Sequence, residues 1–353
     1  MATDKVIGGE IEISDPSRLP EKPVVSVFML TYNHGPYLAE AIDGVLKQQT
    51  DFPIELLIGE DCSTDNTREI ALRYQRANPD VIRVIISTTN VGAGENRLRL
   101  TRAIRGEFIA LCEGDDYWTD PAKLQRQVDY LRAHADVGAV HSDFDHIIFR
   151  RGRWRKCPHF LRYRLREPVP EGDIFPILLR ANFIQTCTLC IRTELDQQFL
   201  ASDLAKVIYP VGDWPLCLYI AAKRKIAYLP QSTAVYREVP GSVMNSGHAS
   251  RARIGTAYIS MIEGFCDRFA VAADARINAL SGVYGGLMSL AVFANDPALY
   301  ERARIWLAQN DPDYLKPLRR RLLPYLMRSV VSRWVLLQIS EARVRLREIR
   351  RYR

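Results

Sequence analysis

Three carboxylates crowd the end of a short apolar run in this sequence. Residues 108–112 have the length and apolar character of a buried strand, and Glu113, Asp115 and Asp116 follow them directly. Like charges this close raise one another's pKa unless a cation lies among them, and carboxylate oxygens are ligands that Mg²⁺ and Mn²⁺ prefer. The alternative is a solvated acidic turn ahead of the next helix, for which Asp120-Pro121 supplies an N-cap and a first helical residue.

The first half of the chain alternates between strand-like and helix-like segments. Continuous apolar runs of strand length, at residues 24–30, 54–59, 81–86 and 108–112, are separated by polar loops and amphipathic helical stretches. This alternation predicts an α/β fold, with a mostly parallel sheet flanked by helices. Since ligands bind beyond the carboxyl ends of parallel strands, we expect the polar loops at 31–36, 60–67 and 113–116 to meet at one edge.

The net charge of +7 comes from two local basic segments. Residues 316–353 contain twelve Lys or Arg and two Glu, and residues 150–166 contain eight Lys or Arg and no acid. The pattern over 322–353 is typical of a basic amphipathic helix, which either lies on an anionic membrane surface or packs on the rest of the protein. Residues 150–166 form either a solvated hairpin face or a surface for a phosphate-bearing acceptor or anionic lipid. No nucleic-acid-binding motif accompanies the charge, so we expect no nucleic acid partner.

Cysteine usage favours a reducing, cytoplasmic location. The seven cysteines are odd in number and mostly lie in apolar runs, and the N-terminus carries no secretory signal. We interpret Cys187 and Cys190 as small core residues, because a lone CxxC without a second pair does not make a zinc site. Residues 277–295 carry no charge, and their three glycines, two serines and Asn278 favour a buried helix or helix pair over a membrane span.

Four motifs in order carry a resemblance to a known family. They are VSVFMLTYN at residues 25–33, EDCSTDNT at 60–67, Asn90-x-Gly92 with Arg97, and GEFIALCEGDD at 106–116. Together they resemble the family 2 glycosyltransferases, which have the GT-A fold, specifically over about 24–131, more weakly to about 250 and not beyond. The resemblance implies a GT-A domain (24–250) with a nucleotide-binding half (24–135) and an acceptor half (136–250). Residues 1–23 have no sustained periodicity and contain Gly8-Gly9 and three prolines, which predicts an N-terminal tail or an edge segment. The pattern over 251–353 predicts a helical, basic C-terminal region.

The resemblance also implies which residues bind a nucleotide-sugar donor. Tyr32 matches the aromatic residue that packs on the nucleotide base, and Asp61 matches the carboxylate that accepts a hydrogen bond from the base ring N–H. Because an ionised carboxylate only accepts hydrogen bonds, the base must carry a ring N–H, and uracil, thymine and guanine all meet this condition. Glu60 lies where the family often has a first Asp. Arg97 matches an arginine near the nucleotide that steadies phosphate or the acidic turn, although Leu98 replaces the usual Asn, and a plain helix-surface role is the alternative.

The acidic turn matches the Asp-x-Asp motif of the family. Asp115 is the implied ligand of Mn²⁺ or Mg²⁺. Asp116 is implied either to contact the ligands of the metal without binding the ion itself, or to bind sugar hydroxyls. Glu113 departs from the pattern, and its extra methylene moves the carboxylate towards the ribose or a metal-bound water. The cation would offset the charge that grows on the nucleoside diphosphate as it leaves.

A catalytic base is implied on the acceptor side. The matching segment is 209–216, in which Asp213 stands at the N-terminus of an apolar helix, a position that favours an anion. Trp214 beside it offers a surface for a sugar ring. A simple helix cap is the alternative for Asp213.

One loop and two histidines complete the candidate residues. Tyr236-Arg237 and residues 241–243 resemble the loop that closes over the donor in this family, and His248 is a weaker candidate for a ligand there. We interpret His141 as a strand-end histidine with satisfied hydrogen bonds.

These assignments predict a metal-dependent, inverting glycosyltransferase. It would move a sugar from a nucleotide-diphosphate sugar to a hydroxyl of a glycan or lipid-linked acceptor in surface polysaccharide biosynthesis. The protein would be cytoplasmic and peripheral on the inner face of the membrane. A non-catalytic nucleotide-binding scaffold of the same fold is one alternative, since it would keep Asp61 without needing Asp213. A sugar nucleotidyltransferase is disfavoured, because residues 31–36 hold one glycine and no Lys or Arg.

Overall fold

The chain divides into two compact units. The computed structural model describes residues 3–7, 10–150, 152–165, 168–207, 212–239 and 247–316. The first unit comprises Met1–Ile174, Phe183–Lys206 and Tyr219–Glu238, and the second comprises Phe175–Asn182, Val207–Leu218 and Val239–Arg353. The second unit thus takes two segments from within the predicted domain of residues 24–250 as well as the chain from Val239 onwards.

The described residues of the first unit are built on one sheet. Its eleven strands are β1 (Thr3–Ile7), β2 (Glu10–Ser14), β3 (Val25–Thr31), β4 (Ile54–Glu60), β5 (Ile82–Ile86), β6 (Phe108–Leu111), β7 (Tyr117–Trp118), β8 (Val137–Arg150), β9 (Arg153–Cys157), β10 (Cys190–Arg192) and β11 (Lys225–Glu238). Their order across the sheet is β1-β2-β5-β4-β3-β6-β10-β8-β11-β7, and β9 pairs with β8.

The described helices, from both units, are numbered in chain order. They are α1 (Leu38–Leu46), α2 (Thr67–Ala77), α3 (Gly92–Arg102), α4 (Lys123–Ala133), α5 (Phe160–Leu165), α6 (Phe175–Arg180), α7 (Thr193–Ala201), α8 (Asp213–Ala221), α9 (His248–Arg268), α10 (Ala273–Ala294) and α11 (Pro297–Asn310).

The centre of the sheet is parallel, as the sequence predicts. β3 pairs in parallel with β4 and β6, and β4 pairs in parallel with β5. These strands read as continuous apolar runs because both faces are covered; Val25, Val27 and Met29 of β3 are fully buried. The four predicted strands are confirmed to within one residue at each end. The carboxyl ends of β3, β4 and β6 therefore share one edge.

The N-terminal segment extends the sheet instead of forming a tail. β1 and β2 make an antiparallel hairpin, and β2 pairs with β5, with Ile11 opposite Ile86. The buried Glu12 carboxylate accepts two hydrogen bonds from the Arg83 guanidinium, at 2.8 and 3.0 Å, and a bidentate pair of this kind fixes the strand. Of the two possibilities that the sequence left open for residues 1–23, a tail or an edge segment, residues 3–14 form the edge segment.

The outer half of the sheet brings a distant strand to the acidic turn. β10 pairs antiparallel with both β6 and β8, and β8 pairs in parallel with β11. The two-residue strand β7, which the sequence did not predict, pairs with β11, with Val235 opposite Tyr117. Because β7 directly follows residues 113–116, this pairing places the carboxyl end of β11 beside the turn.

The described part of the second unit is mainly helical, as predicted. α10 ends at Asn295 in the left-handed conformation (φ 55°), and α11 then starts at Pro297, with the Asp296 side chain accepting the N–H of Leu299 at 2.9 Å. The uncharged residues 277–295, for which the sequence predicts a helix or a helix pair, lie in the single helix α10 and its C-cap. Among the described residues it alone is long and apolar enough to cross a membrane, and 44% of its most apolar window is buried. The basic segment over 322–353 lies outside the described residues.

His141 is buried without hydrogen bonds from its ring. It lies on β8 with no exposed surface, between the rings of Phe183 (5.9 Å) and Tyr228 (5.2 Å). Neither ring nitrogen has a partner among the described residues, so the interpretation as a satisfied histidine is wrong. Burial lowers the pKa of His141 to about 3, and the ring is neutral in the folded protein.

We predict that His141→Leu makes the protein more resistant to acid. In the unfolded chain a histidine binds a proton near pH 6.5, whereas folded His141 does not until about pH 3, so the wild type loses stability as the pH falls between these values. The variant should unfold at a lower pH in a fluorescence titration. It should also gain about 1 kcal/mol at neutral pH, because two unsatisfied nitrogens are removed.

His134→Leu is the matched control for this prediction. His134 is exposed on the surface, so its replacement should leave the acid midpoint unchanged. Equal midpoints for wild type and His141→Leu would show that His141 is not a source of acid sensitivity.

Candidate functional site

The acidic turn is attached to the carboxyl end of β3. The N–H of Gly114 donates to the Leu30 carbonyl at 2.9 Å. A Cβ at Gly114 would lie 2.8 Å from the Thr31 hydroxyl oxygen and 2.9 Å from His34 Nδ1. Only glycine fits this close approach, and it brings the turn against the loop that carries Tyr32.

The three carboxylates of the turn have different surroundings. Asp116 is buried, and its Oδ1 accepts the backbone N–H of Arg237 at 2.8 Å. The half-buried Asp115 places Oδ2 3.9 Å from His34 Nε2. Across the described ranges, no three His, Cys, Asp or Glu side chains are grouped to hold a metal ion. The predicted role of Asp115 as the direct metal ligand does not need such a group, and it stays a prediction.

Arg237 anchors this turn through hydrogen bonds and places a positive charge beside it. One guanidinium nitrogen donates to the Asp115 carbonyl at 2.6 Å, and another donates to the Glu40 carboxylate at 2.5 Å. The guanidinium also lies over the rings of Tyr37 (4.7 Å) and Tyr117 (4.9 Å). The sequence pointed to Arg237 only as part of a closing loop, and residues 240–246 of that loop lie outside the described residues.

Burial shifts the pKa of two groups at the turn. Burial first, and then the charges of Asp115 and Glu113, raise the pKa of Asp116 well above its usual value. Burial lowers the pKa of His34, against the opposing effect of the Asp115 and Asp65 carboxylates. His34 is therefore a neutral imidazole near pH 7, and its Nδ1 has no hydrogen-bond partner among the described residues.

Asp115 and His34 fit a divalent cation that is shared with a substrate. The pair offers a carboxylate oxygen and a neutral imidazole, donors that suit Mn²⁺. Ions of this class are commonly bound by one or two protein groups together with substrate phosphates, so a third protein ligand is not required. His34 was not among the site residues predicted from the sequence. Its position two residues after Tyr32, in the loop following β3, places it at the predicted ligand-binding edge of the sheet.

The loops after β3 and β4 are tied together. Asn33, which has a left-handed backbone (φ 55°), donates its N–H to Ser63 Oγ at 3.0 Å, and its side chain accepts the N–H of Thr64 at 2.8 Å. The Gly35 N–H donates to Asp65 at 3.0 Å. These bonds fix the loop that presents Tyr32, whose side chain is 42% exposed and open to stacking.

The two acids after β4 already have partners within the protein. The buried Asp61 carboxylate accepts the N–H groups of Val91 (2.9 Å) and Gly92 (2.8 Å) at the N-terminus of α3. The sequence pattern predicts a helix over residues 95–105. Because the Asp61 side chain, from the loop after β4, caps α3, the helix starts three residues earlier, at Gly92. The buried Glu60 pairs with Arg68 at 2.6 Å, so it fixes its own loop. The predicted roles of Asp61 and Glu60 in donor binding stay predictions.

Arg97 pairs with a carboxylate elsewhere in the sheet unit. Its guanidinium binds the buried Asp196 on α7. The resemblance implied that Arg97 contacts donor phosphate or the acidic turn. Arg237 makes the contact with the turn. A contact of Arg97 with donor phosphate stays a prediction.

Asp213 belongs to the second unit. It is the first residue of α8; its carboxylate accepts the N–H of Trp214 at 2.8 Å and the side-chain amide of Asn182 at 3.3 Å. Trp214 is buried, donates its indole N–H to the Leu178 carbonyl at 2.8 Å and packs on the Tyr258 ring. Trp214 is therefore a packing residue, and the predicted sugar surface there is wrong. The role of Asp213 as a base stays a prediction.

The fold and the sequence both match known proteins. Residues 26–192 match the family model described as glycosyl transferase family 2. In three dimensions the chain resembles S. aureus TarS 1-349, solved in complex with UDP-GlcNAc, with a TM-score of 0.50, 19% identity, and coverage of 84% of this chain and 91% of that one. The fold is GT-A, and the matched segment belongs to glycosyl transferase family 2.

Two relatives match part of the chain in sequence. An uncharacterized protein of Mycobacterium tuberculosis is 33% identical over 239 residues, which are 65% of this chain and 63% of that protein. The putative teichuronic acid biosynthesis glycosyltransferase TuaG of Bacillus subtilis is 33% identical over 110 residues, 31% of this chain and 42% of that protein. The chain thus spans less than two thirds of the length of either relative.

We predict that Asp116→Asn stabilises the protein at pH 8. The amide oxygen can still accept the Arg237 N–H, while a buried charge beside two other acids is removed, which should raise Tm by about 2 °C. Because the native pKa of Asp116 lies above its unfolded value, lowering the pH protonates it in the native state first and stabilises the wild type. The difference in Tm should therefore shrink at pH 5.

Asp129→Asn provides the comparison, since Asp129 is exposed on α4 and carries no such burial. Melting curves at both pH values check the prediction. A lower Tm for Asp116→Asn at pH 8 would mean that the ionised carboxylate stabilises the turn.

Proposed function

We propose that this protein is an inverting glycosyltransferase that moves a sugar from a nucleoside-diphosphate sugar to a hydroxyl of a glycan or lipid-linked acceptor. One observation carries the proposal: Tyr32, His34 and Asp115 lie at one sheet edge of a family 2 domain, where ligands of parallel sheets bind. The mycobacterial relative has no named activity, so the site itself and the family provide the support.

The donor would bind along the edge formed by β3, β4 and β6. The exposed Tyr32 ring would stack on the base. The Asp61 carboxylate, which accepts the N–H groups of Val91 and Gly92, would use a further lone pair to accept the N–H of the base. Asp115, with His34 beside it, would hold Mn²⁺ or Mg²⁺ against the diphosphate. The ion would supply electrostatic stabilisation of the leaving group.

The acceptor hydroxyl would be activated by Asp213. Its place at the first position of α8 stabilises the ionised form, and its hydrogen bonds to Trp214 and Asn182 fix the carboxylate. Asp213 would take the hydroxyl proton as the oxygen attacks the anomeric carbon from the face opposite the diphosphate. A single displacement of this kind inverts the anomeric centre.

The biological setting we propose is surface polysaccharide biosynthesis on the inner face of the membrane. Two features support it: the name of the B. subtilis relative, which refers to teichuronic acid biosynthesis, and the twelve Lys or Arg in residues 316–353.

The full chain should float with anionic vesicles in low salt and remain unbound with neutral ones. Equal flotation with both would contradict the electrostatic part.

We predict that Asp115 and Asp213 affect different steps. Asp115→Asn should weaken Mn²⁺-dependent binding of UDP- or GDP-sugars and slow donor hydrolysis on the order of 100-fold, because a ligand of the cation is lost. Asp213→Asn should bind nucleotide normally but lose at least about 100-fold in transfer, because the base is lost. Binding is measured by calorimetry and turnover by nucleotide release from a donor panel.

Asp129→Asn serves here as the control for substituting an exposed carboxylate. Nucleotide binding without turnover of any donor by the wild type would instead support the non-catalytic scaffold. Normal turnover of Asp213→Asn would remove that residue from the proposed mechanism.

A further inference from the structure

We propose that Trp154 and Phe149 form a binding platform for a sugar ring of the acceptor, and that the acceptor is an anionic glycan. The platform lies on the β8–β9 hairpin, next to Arg237. The inference rests on the proposed glycosyltransferase function and names the substrate class on its acceptor side.

The hairpin concentrates exposed aromatic surface. Of the described residues, four large aromatic side chains are exposed, and three come from β8, β9 and α5: Phe149 (45%), Trp154 (42%) and Tyr163 (50%). The fourth is Tyr32 at the donor edge. Exposed aromatic clusters on a soluble unit are typical of binding surfaces.

Strand register joins this platform to the acidic turn. Phe149 is opposite Trp154 in the hairpin, so their side chains share a face, and the rings lie 5.4 Å apart. Ile147, two residues before Phe149, is opposite Arg237 on β11, which puts the Arg237 side chain on that same face.

Contacts confirm this placement. The Trp154 ring lies 6.4 Å from the Tyr37 ring and 5.9 Å from the Arg237 guanidinium. Arg237 in turn donates to the Asp115 carbonyl. A ligand on Trp154 would therefore lie beside the residues that hold the proposed metal ligand.

The packing of Trp154 favours a stacked sugar over a lipid bilayer. More than half of the side chain is covered, and the rings of Phe149 and Tyr37 pack against it at steep interplanar angles of 63° and 85°, which fix its position. A ring held in this way offers a fixed apolar face to the C–H groups of a sugar. Insertion into a membrane would need a side chain that protrudes from the surface, whereas Trp154 is packed against its neighbours.

The charge around the platform selects an anionic glycan. Strand β9 carries three basic side chains and no acid, Arg153, Arg155 and Lys156. Lys156 is paired with Asp145 at 2.6 Å, but within the described ranges Arg153 and Arg155 have no carboxylate partner. Strand alternation puts these two arginines on the opposite face of the edge strand from Trp154, so they leave its ring uncovered and give this edge a positive potential that attracts anions.

The test measures binding of two glycan probes to the full chain by calorimetry: polygalacturonate oligomers, which are anionic, and dextran oligomers, which are neutral. Wild type should bind polygalacturonate more tightly, and the preference should fall as salt is raised. Trp154→Ala should weaken binding about 5- to 10-fold, whereas Trp154→Phe should retain most of it. The double substitution Arg153→Gln with Arg155→Gln should abolish the salt dependence.

Tyr163→Ala is the matched control, because Tyr163 is equally exposed but lies on α5. Unchanged binding in Trp154→Ala, or equal affinity for the two glycans, would overturn the proposal. So would binding to vesicles of anionic phospholipid, lost in Trp154→Ala, without glycan binding.

Donor hydrolysis separates this result from failure of the proposed function. If wild type hydrolyses a nucleotide sugar but Trp154 variants bind glycans like wild type, the platform is wrong and the function stands. If wild type hydrolyses no donor, the proposed function fails, while the glycan titrations still decide whether the platform exists.

Discussion

The interaction between Arg237 and the acidic turn is the constraint on which the site depends. Three acids at a strand end repel one another, and one of them, Asp116, is buried. A buried carboxyl group needs hydrogen bonds, and burial raises its pKa. Arg237 anchors the turn by two hydrogen bonds: its backbone N–H donates to Asp116, and its guanidinium donates to the Asp115 carbonyl. The rings of Tyr37 and Tyr117 exclude water from the guanidinium, which strengthens the electrostatic interaction.

This constraint explains the form of the outer sheet. Arg237 comes from the end of β11, far along the chain from the turn, and it reaches the turn because β11 pairs with both β8 and the short strand β7. β7 immediately follows the acids, so a two-residue pairing is enough to set the position of Arg237. The outer half of the sheet therefore contributes Arg237 to the candidate site at the acidic turn.

The sequence predicted the features whose signal is local. β3, β4, β5 and β6 were predictable because buried parallel strands are continuous apolar runs, and the acidic turn was evident from its composition. Arg237 and His34 were not assigned to the turn, because their roles arise from pairing across the sheet. The start of α3 was misplaced for the same reason, since its cap, Asp61, comes from the loop after β4. The β2 strand did have a local signal, the polar–apolar alternation of residues 10–14, but the flanking glycines and prolines favoured a tail.

The remaining polar groups suggest how the site is prepared for a ligand. Asn33, Glu60 and Asp61 are all bonded within the protein, so the loops that would hold a donor are ordered before it binds. Preorganisation of this kind lowers the entropy cost of binding. In contrast, Thr31 Oγ1 and His34 Nδ1, which both face Gly114, have no hydrogen-bond partner among the described residues. A buried polar atom without a partner destabilises the free protein, and a ligand that supplies the missing bond gains that difference as affinity. The loops after β3 and β4 are thus held by internal hydrogen bonds, while two unsatisfied polar atoms, Thr31 Oγ1 and His34 Nδ1, lie near Gly114 in the acidic turn, where the proposed chemistry takes place.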